Sequence, residues 1–197
     1  MREVELKSVV DDIDKRRAMV ERAGGRLVFE GRLIDLRYGD RSGDLVAQDY
    51  VLRLRLYEAQ QKREGHLDWK GPTRYEDGYK VRDELTTSVG DPDALGQILV
   101  NLGFVVVQEV ERHIWQYTLF GAVVRFEKYP RMDSLVEVEG DPDRIERAIA
   151  AIGLDRAGYS AERLADFMLR FEARTGERAA LSARELAGDY IFRPTDA

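Results

Sequence analysis

The sequence predicts an α+β fold in which an antiparallel sheet, curved or closed on itself, carries helices on its outside. Three observations predict it. Segments with apolar residues at every second position recur along most of the chain. Three segments of thirteen residues, each opened by Asp and closed by Gly, have helical spacing between those ends. The strand segments also place charge on one face and aliphatic side chains on the other.

The strands come in order at Glu3 to Val9, Val28 to Tyr38, Tyr50 to Tyr57, His66 to Lys70, Tyr79 to Thr87, Val105 to Val110, Arg112 to Phe120, Ala122 to Tyr129 and Leu135 to Glu139. Charged loops are expected at Glu58 to Gly65 and Gly71 to Gly78. The helices run from Asp12 to Gly24, Asp91 to Gly103 and Asp141 to Gly153. Asp suits the N-cap, Pro92 and Pro142 the first helical position, and Gly the residue after the last turn. Leu95, Ile98, Leu99 and Leu102 make one apolar stripe, and Ile145, Ala148, Ile149 and Ile152 another. From Ser160 the pattern is helical again, with a stripe of Leu164, Phe167, Met168 and Phe171 ending at Thr175-Gly176. Ser182-Ala183-Arg184-Glu185 has the form of a capping box for a last short helix. One domain over residues 1–159 is expected, with 160–197 as its C-terminal helical extension. That extension has three possible roles: capping the sheet, packing on its outside, or mediating a homodimer.

Composition narrows the function classes. A chain of 197 residues with 44% hydrophobic and 35% charged residues is globular and can bury a core. The net charge of −6 argues against a general nucleic-acid binder. No apolar run approaches the roughly 20 residues of a membrane span, and charges at Arg2, Glu3, Glu5 and Lys7 argue against a signal peptide. Without cysteine there is no thiolate metal site. A cytoplasmic protein with neither nucleic acid nor membrane as partner is expected. His66 and His113 are too few and too separated for a histidine metal centre, and His113 should alternate away from Arg112. Trp69 and Trp115 fit apolar packing better than base stacking.

The charges on the strands carry more information. Glu3, Glu5 and Lys7 share a face opposite Val4 and Leu6; Arg53 and Arg55 oppose Leu52, Leu54 and Leu56. Lys80, Arg82 and Glu84 oppose Val81, Arg125 and Glu127 oppose Val124 and Phe126, and Glu137 and Glu139 oppose Val136 and Val138. On a single strand this is an ordinary solvated face. Over five strands, same-sign neighbours such as Glu3/Glu5, Arg53/Arg55 and Glu137/Glu139 repel unless something fills the space between them. Carboxylate pairs are hard ligands for Mg²⁺ or Mn²⁺, and clustered Arg and Lys neutralise phosphate. A closed sheet with both on its inner wall would suit a polyphosphate–metal complex.

Glu3-Val4-Glu5-Leu6-Lys7 resembles the ExExK signature of the CYTH superfamily, the triphosphate tunnel metalloenzymes. Further matches follow in order over about residues 1–153: Ile34-Asp35, Leu52-Arg53-Leu54-Arg55, Leu67-Asp68-Trp69-Lys70-Gly71-Pro72, Lys80-Val81-Arg82-Asp83-Glu84, Leu102-Gly103-Phe104, Phe126-Glu127 and Val136-Glu137-Val138-Glu139. Two positions depart from the pattern: Val110 stands where a lysine is usual, and Glu127 where Asp is usual. The resemblance implies a tunnel of eight antiparallel strands with helices outside and a Mg²⁺ or Mn²⁺ cofactor. It implies Glu3, Glu5, Glu127, Glu137 and Glu139 as metal ligands. Lys7, Arg53, Arg55, Lys70, Arg82 and Arg112 would hold the triphosphate; in a triphosphatase a second metal ion, or Lys7, would orient the attacking water. Lys80, Glu84 and Arg125 are further lumen candidates. The implied partner is a small triphosphate: tripolyphosphate, ATP or thiamine triphosphate. Three functions follow from it. A triphosphatase comes first, because water needs no base pocket; a class IV adenylate cyclase making cyclic AMP and pyrophosphate is second. A silent polyphosphate- or nucleotide-binding module, favoured only by Val110 and Glu127, is third.

Overall fold

The computed structural model describes residues 2–60 and 62–189, so residues 190–197 of the expected C-terminal extension lie outside the described residues. The strands are β1 (Arg2–Val9), β2 (Arg26–Gly39), β3 (Val51–Ala59), β4 (Lys62–Lys70), β5 (Arg74–Glu76), β6 (Tyr79–Val89), β7 (Val105–Leu119), β8 (Ala122–Lys128) and β9 (Leu135–Glu139). The helices are α1 (Ile13–Arg22), α2 (Asp44–Ala47), α3 (Pro92–Asn101), α4 (Pro142–Ile152), α5 (Leu164–Thr175) and α6 (Ala183–Leu186). Around the ring the order is β1-β9-β8-β7-β2-β3-β4-β6, and β6 pairs back onto β1 through Glu3↔Arg82 and Glu5↔Lys80. The result is a closed barrel of eight antiparallel strands. β5 is an added short strand on β6, beyond the end of β4.

Closure turns the usual polarity of a barrel inside out. The aliphatic faces point outward and are roofed by helices. Leu6, Val81, Phe126, Val136 and Val138 meet Ile145, Ala148, Ile149 and Ile152 of α4 and Val20 of α1, all buried. Each such side chain contributes about 1.5–3 kcal/mol on burial. α3 covers the other flank with Leu99 on Ile34, Leu54 and Leu56. The helix boundaries follow the Asp and Gly signals. Asp12 accepts from the Lys15 N–H at 3.0 Å and Asp91 from the Ala94 N–H at 2.9 Å. Gly153, at φ 73°, takes the left-handed conformation that ends α4. Asp141 makes no cap bond; its carboxylate pairs with Arg144 at 3.3 Å instead.

α5 does something different. Its stripe of Phe167, Met168 and Phe171 packs on Val110, Tyr129 and Leu135, of which Val110 and Leu135 belong to the inward set of their strands. The helix therefore covers one end of the barrel. Reciprocal bonds between Lys7 and Ser160 (2.9 and 2.8 Å) and between Arg131 and Ala180 (3.0 and 2.8 Å) tie the segment down.

Three local expectations are corrected. The strands expected at Val105 to Val110 and Arg112 to Phe120 are one strand, because Glu111 pairs with Ile34 and turns its side chain outward to Arg32 at 2.8 Å. Glu58 to Gly65 is mostly hairpin, paired out to Ala59↔Lys62, with Arg63 drawn to Glu58 and Asp93 on the surface. Gly71 to Gly78 contains β5, which needs only the free edge of β6 to form. No helix among the described residues is long and apolar enough to cross a membrane.

Candidate active site

Inside the barrel lies a cavity of about 150 Å³. Among the described residues ten cationic and six acidic side chains line it, an excess of positive charge in a chain whose net charge is −6. All of Lys7, Arg53, Arg55, Lys70, Arg82, Arg112, Glu3, Glu5, Glu127, Glu137, Lys80 and Arg125 reach this lining. Glu84 stands behind it, 3.5 Å from Lys70 and 3.7 Å from Arg53. Glu139 lies opposite Glu5 in the β1–β9 register, at the edge of the same group. The alternation of each strand brings the residues together, and the register of adjacent strands sets which ones face each other.

On the wall formed by β1, β9 and β6, carboxylates meet lysines. Lys7 Nζ lies 2.7 Å from Glu5 and 2.8 Å from Glu137. Lys80 lies 2.6 Å from the same Glu5, and Lys70 of the neighbouring β4 lies 2.5 Å from Glu3. Arg125 reaches Glu137 at 2.6 Å. Burial would push the Glu5 carboxyl up, but Lys7, Lys80 and Lys70 outweigh it and hold Glu5 well below the usual range. Burial is likewise overcome at Glu137, which Lys7 and Arg125 bring down to about 2. Lys7 is raised despite burial because Glu137 and Glu5 flank it, so it is a fixed ammonium donor. Glu139 goes the other way. Burial, reinforced against Arg125 by Glu3, Glu137 and Glu5, pushes it up to about 7.

On the wall formed by β2, β3 and β7, one carboxylate serves three guanidinium groups. Asp35 accepts two bonds from Arg55 (2.7 and 2.8 Å) and one from Arg112 at 3.0 Å, and lies 3.5 Å from Arg53. Burial raises Asp35, but the three arginines dominate and keep it ionised. Arg53 also grips Asp68 at 2.6 and 2.8 Å. Glu127, almost completely buried, accepts from Arg112 at 2.8 Å and from the Tyr129 hydroxyl at 2.5 Å. Nη1 of Arg112 is buried with no partner among the described residues. A buried cationic donor left open is costly unless something anionic completes it.

Arg82 is built into the wall: Nε donates to the Gly71 carbonyl at 2.6 Å and Nη2 to the Asp49 carbonyl. Position 110 carries no lysine substitute. Val110 is buried by the apolar face of α5. Sequence reasoning gave no role to Asp35, Asp68, Tyr129, Asp49 or Arg163. Asp35 could have been found, since it alternates with apolar Ile34 and Leu36 as the lining residues of other strands do. Arg163 could not, because it enters the cavity from a helix outside the barrel. His113 points outward, 3.8 Å from Glu30, and Trp115 lies beneath Arg17 of α1. Both are thus off the lining, as expected.

Whether a divalent cation fits can be judged from the donors. Glu3, Glu5, Glu137 and Glu139 sit on two adjacent strands, and the raised Glu139 marks a local surplus of carboxylate that a cation would relieve. Among the described residues no three carboxylates converge on one point, because Glu3, Glu5 and Glu137 are each turned to a lysine. The donor chemistry fits Mg²⁺ or Mn²⁺ provided these side chains exchange lysine for metal. Glu127 is engaged on the opposite wall.

No family model and no curated protein matches the chain by sequence. Solved structures do match by shape. The PH1819 protein of Pyrococcus horikoshii OT3 aligns with a TM-score of 0.69 at 22% identity, over 85% of this chain and 98% of that one. A Vibrio parahaemolyticus protein described as an adenylate cyclase candidate gives 0.70 at 21%, over 85% and 97%. The cyclase candidate HpAC1 from Hippeastrum gives 0.63 at 15%, over 92% and 98%. The likeness shows the fold: this chain is built as the barrel of these proteins, in keeping with its resemblance to the CYTH superfamily.

Proposed function

We propose that this chain is a divalent-metal-dependent triphosphatase. The observation that carries the proposal is the excess of cationic groups facing a buried cavity in an acidic protein, with a carboxylate wall across from them. A cavity of about 150 Å³ is smaller than the roughly 300–1,000 Å³ typical of organic-ligand sites, which favours a linear phosphate chain over a whole enclosed nucleotide. The Hippeastrum protein, of the same fold, is described as having a dominant triphosphatase activity.

In this proposal Arg53, Arg55 and Arg112, held in place by Asp35, Asp68 and Glu127, turn their remaining N–H groups to phosphate oxygens, the open Nη1 of Arg112 among them, and Lys70, Lys80 and Arg125 add charge. Glu3, Glu5, Glu137 and Glu139 hold Mg²⁺ or Mn²⁺, which when bound supplies Lewis-acid polarisation of phosphoryl oxygens. Lys7, protonated between Glu5 and Glu137, donates hydrogen bonds that orient water for in-line attack at the terminal phosphorus; it is not a base. The water oxygen bonds to that phosphorus as the bridging P–O bond breaks; orthophosphate and the shortened phosphate chain leave, and the proton lost by the water passes to a phosphate oxygen or to solvent. The test is to give purified protein tripolyphosphate, ATP and thiamine triphosphate with Mg²⁺ or Mn²⁺. Metal-dependent orthophosphate release is expected. Cyclic AMP with pyrophosphate would instead assign the cyclase reaction, and tight binding without any product would assign a binding module.

A further inference from the structure

The cations deep in the cavity are paired with carboxylates and almost fully buried. Lys7 touches two carboxylates, Arg55 takes Asp35 bidentately, Arg112 takes Asp35 and Glu127, and each is less than a tenth exposed. Arg163 differs in every respect. It lines the same cavity but belongs to no strand, being the N-cap of α5. Its side chain is 43% exposed, and its Nη2 pairs with Asp49 at 3.1 Å. Its backbone is held, since its N–H donates to Asp166 at 2.9 Å and the next residue, Leu164, packs into the α5 cluster. A guanidinium on a fixed helix end, with its head half in water, can change partner without unfolding anything.

Asp49 is the partner to be exchanged, and it is secured without Arg163. Its carboxylate accepts the Thr73 N–H at 2.6 Å and lies 3.7 Å from Arg82. Asp49 therefore stands between two guanidinium groups at the lip of the cavity. An anion that extends from the Arg55–Arg112 wall as far as Asp49 would meet Arg163, which lines the same cavity.

We infer that Arg163 is a substrate-binding residue that measures phosphate chain length, leaving Asp49 to grip the outer end of a bound triphosphate. The inference rests on the triphosphate reading of the cavity and adds to it a chain-length selector supplied by the C-terminal segment. The experiment is calorimetric titration of tripolyphosphate, pyrophosphate and orthophosphate into wild type, Arg163→Ala and Arg163→Lys, with melting temperatures measured alongside. Arg163→Ala should bind tripolyphosphate about tenfold more weakly, the size of one lost charge-assisted hydrogen bond, with orthophosphate affinity unchanged and melting temperature held. Arg163→Lys should recover most of the loss. Equal weakening for all three anions, or no weakening for tripolyphosphate, would overturn the assignment. A fall in melting temperature that lysine does not restore, with unchanged chain-length preference, would also overturn it. Failure of the wild type to bind any of the three would instead overturn the triphosphate reading itself, and the assignment with it.

Discussion

The two walls of the cavity solve the problem of buried charge in different ways. On β2, β3 and β7 one acid, Asp35, takes Arg55 bidentately and Arg112 at 3.0 Å, with Arg53 3.5 Å away. On β1, β9 and β6 several acids share lysines, which are single-point donors: Lys7 serves Glu5 and Glu137, and Lys80 serves Glu5 again. A guanidinium fork loses its geometry when its partner leaves; an ammonium on a flexible stem can swing to a new acceptor. Under the proposed function the arginine wall would be preorganised for phosphate, and the lysine wall would be the exchangeable one that admits a cation.

Substitutions that treat the walls differently should break or sharpen this contrast. The largest effect is expected from Glu5→Gln and Glu137→Gln, which should each lower metal-dependent turnover by at least about 10²–10³-fold. Circular dichroism should show an intact fold, since each leaves lysines that can find another acid. Normal activity in either would remove the metal assignment. Asp35→Asn should instead act on the fold, because it strands buried guanidinium groups. Urea unfolding should show a loss of about 3–5 kcal/mol. Saturating tripolyphosphate, by binding only the native state, should return part of it, about 2.7 kcal/mol at a hundredfold excess over Kd.

Asp35 also fixes a pH signature. Its folded-state pKa lies below its unfolded value of 3.8, so its stabilisation is complete above that value and is lost as pH falls towards the folded one. The stability gap between wild type and Asp35→Asn should be flat above about pH 5 and shrink below pH 4. A gap that grew in acid would contradict the buried ion-pair account.

Outside the barrel the expected effects are smaller or purely structural. Ile149→Ala, on the buried face of α4, should cost about 2–5 kcal/mol while leaving turnover per folded molecule unchanged. Asp93→Asn, which removes the exposed partner of Arg63, should cost less than about 1 kcal/mol in the same unfolding assay.

Much of this contrast was legible in the sequence. Period-two charge on β1, β3, β6, β8 and β9 is visible because apolar residues alternate with most of the inward charges, Asp83 on β6 being an exception, and the Asp–Gly brackets around α1, α3 and α4 are local signals. Closure was not visible in periodicity, since the pairing of β6 with β1 joins residues 75 to 81 apart and depends on the whole ring. Asp35 went unassigned because its importance comes from three arginines on β3 and β7. The hairpin over Lys62 to Gly65 was obscured by solvent-facing charges, which conceal strand alternation. Arg163 was beyond reach for a different reason. Its place in the cavity is set by α5 docking on Val110 and Leu135, a tertiary event with no period to read.

The central claim is that the exchangeable wall takes a cation and the fixed wall takes phosphate, and that the two act together. Calorimetric titration of tripolyphosphate into wild type and Glu137→Gln, with and without Mn²⁺, tests it most directly. The account predicts that Mn²⁺ tightens binding to the wild type and has little effect on Glu137→Gln, while metal-free affinity is similar in both. Equal affinity with and without Mn²⁺ in the wild type would contradict it.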